Sequence, residues 1–247
     1  MSKIKETIFF LHAFPFSKEM WKAQLDGLPK DYRGIAVDLR GFGKASLCVG
    51  TTSIEGMVED LISKMNHLKM KKVILCGLSM GGYVALRTVE KYPQRVSALI
   101  LADTKSTPDG NEAKIKRSES IQLILKKGLK SYVDVFLKGV LSEKNLKNKL
   151  LVSSLKKMIL QNSKEGICAA LMGLAARTDT TSSLSHIQVP TLILVGDEDR
   201  LTPLSDAQTM KKKIKKAQLK VIPAGHLSHL ENPEAFNRCL VDFLNSI

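Results

Sequence analysis

The chain has 247 residues, of which 44% are hydrophobic and 25% are charged, as is usual for a globular protein. This length suffices for one large domain whose core needs neither disulfides nor metals, and no apolar run approaches the roughly 18 residues of a membrane span. The net charge of +14 comes mainly from dispersed lysines without interleaved aromatic residues or a recognised nucleic-acid motif. A lysine-rich surface is therefore favoured over a nucleic-acid site.

The first half of the chain alternates short apolar runs with helical patterns. The apolar runs predict four buried strands, at 7–12, 34–38, 72–77 and 96–102. Helices are predicted from Ser17, from Ser53 to about Leu68, and from Met80 to Lys91, with both serines as N-caps. This alternation predicts a mostly parallel sheet with helices on both faces and a ligand site beyond the carboxyl ends of the strands.

From about residue 105 to 186 no strand-like run occurs. Leucine, isoleucine and lysine recur there at helical spacing, which predicts four helices, at 121–127, 131–138, 146–160 and 166–176. The earlier alternation then resumes with a strand at 191–196, a helix at 203–215, a strand at 218–222 and a final helix at 233–246. The predicted organisation is an α/β core, 1–104 and 187–247, with an inserted helical cap, 105–186, that is the most basic part of the chain.

Between the third strand and its helix the sequence is Gly77-Leu78-Ser79-Met80-Gly81, a Gly-x-Ser-x-Gly motif. A serine that stands above the end of a sheet needs a tight, strained strand-to-helix turn, where a Cβ two residues before or after it would clash. At the start of the helix, the free N–H of Met80 is placed to stabilise an oxyanion. The motif predicts that Ser79 is a nucleophile.

A serine nucleophile needs a base, and the base needs an acid to orient it. His226 lies in the loop after the last predicted strand, and Asp197 and Asp199 follow the strand before it. The chain order of serine, acid and histidine is that of hydrolases with this kind of turn. Spacing alone leaves the choice between the two aspartates open.

These motifs together resemble the α/β-hydrolase superfamily, in the branch of small cytoplasmic serine esterases, enol-lactonase-like and haloperoxidase-like (perhydrolase) enzymes. The resemblance implies an α/β-hydrolase fold, Asp199 as the acid of a Ser79, Asp199 and His226 triad, and an oxyanion hole formed by the backbone N–H groups of Phe14 and Met80. It implies no cofactor and no metal. The residues that carry it are 12–15, 38–43, 77–82, 196–203, 225–226 and 231–233.

The sequence departs from the family pattern in two places. Ala13 stands where the oxyanion loop usually has glycine, so this turn is expected to be tighter. Only about six residues precede the first matching strand, so the leading antiparallel strands are expected to be missing or shortened. This short polar segment also predicts that no signal peptide precedes the domain.

Several polar residues near the motifs have competing interpretations. His12 is expected to shape the oxyanion loop, and His229 to be structural, although either could be a base. Asp103 could be a displaced acid but is expected to cap the chain after it. The acidic run at 197–199 could bind a metal, yet it has no further ligands at metal spacing.

The predicted function is a serine hydrolase that cleaves a carboxylic ester, thioester or lactone of a small molecule. The alternatives are a carbon-carbon bond hydrolase or perhydrolase with the same triad, and a ligand-binding protein without catalysis. A further alternative is an esterase for an acidic acyl-carrier protein, docked on the basic residues of the cap, namely Lys114, Lys116, Arg117, Lys126 and Lys127. Cytoplasmic location is predicted from the scattered, reduced cysteines Cys48, Cys76, Cys168 and Cys239.

Overall fold

The computed structural model describes residues 4–45 and 52–247. Within these ranges six strands form one sheet in the order β2-β1-β3-β4-β5-β6, and every pairing is parallel. No antiparallel leading strand occurs in the described part of the chain. The predicted strands are confirmed, with bounds that differ by at most two residues. The strands are β1 Glu6–Leu11, β2 Tyr32–Val37, β3 Val73–Leu78, β4 Val96–Ala102, β5 Thr191–Gly196 and β6 Ala217–Ile222.

Helices connect the strands as parallel pairing requires. The predicted N-cap Ser53 is confirmed, since its hydroxyl accepts a hydrogen bond from the Gly56 N–H. Ser17 makes no such bond, because a 3₁₀ turn, Lys18–Trp21, intervenes before the first α-helix. The helices are α1 Lys22–Asp26, α2 Ile54–His67, α3 Met80–Lys91, α4 Asn111–Val140, α5 Glu143–Leu146, α6 Lys149–Leu160, α7 Lys164–Ala175, α8 Leu204–Lys213, α9 Ser228–Glu231 and α10 Pro233–Asn245.

Four helices, α4 to α7, occupy the stretch between β4 and β5. Helix α4 is interrupted at Gly128, whose φ of 80° and ψ of 164° suit only glycine, and the first two predicted helices separate at this point. The helix predicted over 146–160 begins three residues later than expected, at Lys149, because the Asn148 side chain accepts from the Leu151 N–H and caps α6. Helix α4 packs on α6 and α7, but a separate cap unit remains a prediction.

The strands in the middle of the sheet lie in the hydrophobic core. All residues of β3 and β5 are buried, which explains why both appear in the sequence as continuous apolar runs. Cys76 lies in this core, and Cys168 and Cys239 are half-buried free thiols; Cys48 lies outside the described residues. Over residues 4–45 and 52–247 no helix has the length and apolar character that crossing a membrane would require.

Candidate active site

The turn between β3 and α3 holds Ser79 in a strained conformation, with φ of 53° and ψ of −112°. A Cβ on Gly77 would lie 2.2 Å from the Gly81 carbonyl oxygen, and a Cβ on Gly81 would lie 2.1 Å from the Leu11 carbonyl oxygen. Both contacts are with backbone, which cannot move aside as a flexible side chain can. The two glycines of the motif therefore let α3 pass directly over β1 and lift Ser79 above the end of the sheet.

His226 and Asp199 lie next to Ser79. The Nε2 atom of His226 is 2.9 Å from the Ser79 Oγ, and its Nδ1 is 2.8 Å from the Asp199 Oδ2. Because the carboxylate can only accept, we assign the imidazole proton to Nδ1, which leaves Nε2 free to accept from the serine hydroxyl. The structure thus brings together the three residues that the sequence singled out as a triad.

The Asp199 carboxylate is fixed by its own loop. Its Oδ1 accepts from the Leu201 and Thr202 N–H groups at 2.8 and 3.0 Å, and its Oδ2 also accepts from the Thr202 hydroxyl at 2.6 Å. These bonds leave Oδ2 aimed at His226. Thr202, which the sequence analysis did not identify, therefore orients the acid, and its place three residues after Asp199 in a short loop was the available signal.

Burial and nearby charge have opposite effects on the pKa values of His226 and Asp199. Burial disfavours the imidazolium, but the charge and hydrogen bond of Asp199 outweigh it and raise the pKa of His226 above its usual value. Burial likewise opposes ionisation of Asp199, and His226 with Thr202 nevertheless holds the pKa of this carboxyl below its usual value. Asp199 is therefore ionised at neutral pH, next to a histidine with a strengthened affinity for protons.

Asp197, the alternative acid, points elsewhere. It is exposed, and its Oδ1 accepts from the Ala224 N–H at 2.9 Å. In the described part of the chain, no group of three or more His, Cys, Asp or Glu residues is arranged to hold a metal ion. The three residues of the acidic run at 197–199 thus differ in their surroundings: Asp197 bonds within the loop, Glu198 is exposed to solvent, and Asp199 is the partner of His226.

Asp103 is fully buried at the end of β4 and does not bond to His226. Its carboxylate accepts from the Gly196 N–H at 2.9 Å and from the N–H and hydroxyl of Ser228 at 3.1 and 2.6 Å. Burial, followed by the nearby Asp199 charge, raises the pKa of Asp103. Asp103 therefore links the end of β5 to the loop that carries His226.

The two competing histidines have structural roles. The Nε2 of His12 accepts from the Leu39 N–H at 2.9 Å, so Nδ1 donates to the Ala13 carbonyl, also at 2.9 Å; burial lowers the pKa of His12 to about 4. The His229 ring lies against Trp21, with centroids 4.6 Å apart, and burial lowers its pKa to about 3. Both imidazoles are neutral in the folded protein at neutral pH, and neither bonds to Ser79.

Phe14 and Met80 are the two residues whose backbone N–H groups were predicted to form the oxyanion hole. Both residues line the cavity into which Ser79 and His226 open. Neither N–H has a hydrogen-bond acceptor among the described residues. A pair of free N–H groups beside a nucleophile can stabilise negative charge on a substrate oxygen. That Phe14 and Met80 form an oxyanion hole is part of the proposal below.

The cavity above Ser79 has a volume of about 240 Å³. One part of its wall is apolar and comes mostly from the helices between β4 and β5, with Tyr132, Phe136, Leu171 and Leu174. The other part is charged, with Lys105, Asp109, Lys116 and Arg117. The sequence analysis named Lys116 and Arg117 only as basic residues of the cap for carrier docking, and it did not single out Lys105 or Asp109.

The helices over the cavity are bonded directly to the loop that holds His226. The His226 N–H donates to the Val140 carbonyl at the end of α4, at 2.8 Å. Glu231 accepts from the Ser142 N–H and hydroxyl at 2.9 and 2.6 Å, and from the Leu227 N–H at 3.3 Å. The position of His226 therefore depends on how these helices pack.

Comparison with known proteins agrees with this geometry. A family model described as alpha/beta hydrolase fold matches residues 6–233. The chain is 30% identical to 3-oxoadipate enol-lactonase 1 of Acinetobacter baylyi, over 97% of this chain and 89% of the relative. It is 31% identical to a putative 2-succinyl-6-hydroxy-2,4-cyclohexadiene-1-carboxylate synthase of Bacillus subtilis, over 98% and 91%.

The solved structures include a malate-bound thermophilic esterase from Thermogutta terrifontis. It superposes with a TM-score of 0.93 at 35% identity, covering 99% of this chain and 91% of that chain. These similarities extend over nearly the whole length, and the parallel sheet with its connecting helices and the turn at Ser79 are those that the sequence predicted. The chain is therefore an enzyme of the α/β-hydrolase fold family.

Proposed function

We propose that the protein is a serine hydrolase that cleaves a carboxylic ester or lactone through an acyl-enzyme on Ser79. The observation that carries this proposal is the continuous hydrogen-bonded chain from the Ser79 Oγ through His226 to Asp199, buried beneath one cavity. Esterase and enol-lactonase relatives support the choice of bond.

In the first half of the reaction, Nε2 of His226 takes the proton of Ser79 as its Oγ attacks the ester carbonyl. The tetrahedral oxyanion accepts hydrogen bonds from the Phe14 and Met80 N–H groups. The imidazolium is stabilised by the ionised Asp199, which keeps its negative charge throughout. His226 then gives its proton to the leaving alcohol, and the acyl group remains on Ser79.

In the second half, water takes the place of the alcohol. His226 accepts a proton from this water, which attacks the acyl carbonyl and forms a second tetrahedral oxyanion in the same hole. Collapse of this intermediate breaks the bond to Ser79, whose Oγ recovers its proton from His226. A lactone differs only in that the leaving alcohol stays attached to the acyl group until hydrolysis releases the hydroxy acid.

A free small-molecule ester is favoured over a carrier-bound one. Of the basic cap residues considered for carrier docking, Arg117 lines the inner cavity and bonds to Asp109, and Lys116 is paired with Glu112 at 2.8 Å. The remaining ones, at 114, 126 and 127, are exposed. An acidic carrier would therefore meet fewer free cations than the sequence indicated.

The test is hydrolysis of short-chain p-nitrophenyl esters and of simple lactones by wild type and by Ser79→Ala. Removing the nucleophile of a serine hydrolase lowers kcat by about 10⁴-fold or more, and we expect such a loss with thermal stability retained. Ser63→Ala, at an exposed position on α2, is the matched control and is expected to retain full activity. Turnover that survives Ser79→Ala would contradict the proposal.

A further inference from the structure

The charged part of the cavity wall contains a lysine that has neither a hydrogen bond nor an ion pair within the described part of the chain. Lys105 lies three residues beyond the end of β4, lines the same cavity as Ser79 and is half-buried. Its ammonium forms no hydrogen bond or ion pair with any residue in the ranges 4–45 and 52–247. Removing part of the hydration of an ammonium without supplying an anion is unfavourable, so this position is suited to a bound negative charge.

The acid in this wall, Asp109, is already engaged by two arginines. It accepts from the Arg117 Nε on α4 and from the guanidinium of Arg177. Burial opposes its ionisation, but these two guanidinium groups hold the pKa of Asp109 below its usual value. One negative charge therefore faces two positive ones, and Asp109 is not available to Lys105.

The charge of Lys105 also acts on an acid outside the cavity wall, Asp206. Asp206 on α8 is half-buried, and burial raises its pKa while the charge of Lys105 acts to lower it. The two side chains do not form an ion pair, and Asp206 does not line the cavity. Lys105 is thus a cation of the cavity wall that no ion pair neutralises, and the Arg117 guanidinium lies in the same wall.

We propose that Lys105, assisted by Arg117, binds a carboxylate carried by the substrate, so that the enzyme acts on anionic esters or lactones. The inference deepens the proposed function and rests on it. The carbon skeleton of such a substrate would lie along the apolar wall formed by Tyr132, Phe136, Leu171 and Leu174. A carboxylate and an ammonium in a partly desolvated site form a charge-assisted hydrogen bond, which is stronger than a neutral one.

Two substrates of equal size distinguish the effect of substrate charge from the effect of substrate shape. One is the monophenyl ester of adipic acid, which carries a free carboxylate at neutral pH, and the other is phenyl 5-carbamoylpentanoate, in which a neutral amide replaces that carboxylate. Phenol release gives kcat/KM for each. We expect wild type to prefer the anionic ester by at least about tenfold, and this preference to weaken as salt concentration rises.

The key variant is Lys105→Gln, because it removes a charge without breaking an internal ion pair. We expect it to lower kcat/KM for the anionic ester by about 10- to 100-fold and to change kcat/KM for the amide by less than twofold. Lys72→Gln is the matched control, since Lys72 is exposed just before β3, at the opposite end of the sheet from Ser79. Equal turnover of both esters by wild type, or equal losses on both in Lys105→Gln, would overturn the inference.

Binding without catalysis separates this inference from the proposed function. Adipate is titrated into Ser79→Ala by calorimetry, with adipamide as the neutral comparison. Adipate binding that weakens at least about tenfold when Lys105→Gln is added supports the anion site even if neither ester is hydrolysed. No adipate binding, or binding that Lys105→Gln leaves unchanged, overturns the anion site even if Ser79 proves to be the nucleophile.

Discussion

The hydrogen bonds of Asp199 allow the effect of Asp199→Asn to be worked out atom by atom. The side-chain oxygen that accepts from two backbone N–H groups, those of Leu201 and Thr202, must remain an oxygen. The amide nitrogen therefore takes the place of Oδ2, facing His226 at a hydrogen-bond distance of 2.8 Å. An amide nitrogen only donates in this setting, so Nδ1 of His226 must become the acceptor and its proton must move to Nε2.

In that tautomer His226 donates to Ser79 instead of accepting from it, so the base is lost while the geometry is kept. A variant of this type in a serine protease lowers kcat by about 10⁴-fold, which corresponds to ~5 kcal/mol of transition-state stabilisation. We expect a similar loss in kcat here. The Thr202 hydroxyl can rotate to accept from the new amide, so stability should change by less than about 1 kcal/mol.

The assay is steady-state hydrolysis of a p-nitrophenyl ester, with a urea unfolding curve for each variant. Asp197→Asn is the matched control, because the amide oxygen can still accept from the Ala224 N–H, and it should retain at least a third of wild-type kcat. Near wild-type turnover in Asp199→Asn, or an equal loss in Asp197→Asn, would refute the assignment of the acid.

Three further predictions concern His226, Gly81 and Asn162. Because Asp199 raises the pKa of His226, kcat/KM should fall on acidification with a midpoint above the ordinary histidine value of 6.5, and a pH profile with its midpoint below that value would contradict this. Gly81→Ala places a Cβ 2.1 Å from the Leu11 carbonyl oxygen and should cost about 1–3 kcal/mol or more of unfolding free energy in urea, whereas a neutral effect would show that this approach is not required. Asn162→Ala removes two hydrogen bonds to the loops beside the site, with the Gly43 N–H at 2.8 Å and the Pro15 carbonyl at 2.9 Å. We expect the free energy of unfolding to fall by about 2 kcal/mol and kcat to be lowered. An unchanged kcat would show that these loops do not affect catalysis.

Much of the fold could be predicted from local patterns. The buried strands are continuous apolar runs, and the bounds of β4 and β5 agree with the prediction to the residue. The turn at Ser79 was predictable because the need for glycine on both sides of the serine is steric, and the whole motif spans only five residues. The relation of Ser79 to His226 followed from a topological rule, since the carboxyl ends of all strands in a parallel sheet lie at the same edge, although β4 and β5 separate the two strands that these residues follow.

Other features depend on contacts between distant parts of the chain. The first ten residues of α4, from Asn111, are so polar that they show no clear hydrophobic period, and the helix as a whole packs against α6 and α7. The bond between Asp109 and Arg177 joins residues 68 positions apart, which no local pattern indicates. Lys105 could have been found from the sequence, because it lies two residues after Asp103, a residue already considered for the site, near the carboxyl end of β4.

The proposed function requires Ser79 to be an activated nucleophile. Its most direct test is to treat the protein with a fluorophosphonate and measure intact mass for wild type, Ser79→Ala and His226→Ala. We expect one adduct per chain on wild type and none on Ser79→Ala, with labelling of His226→Ala slowed by orders of magnitude. An adduct of equal extent on Ser79→Ala, or no adduct on folded wild type, would contradict it.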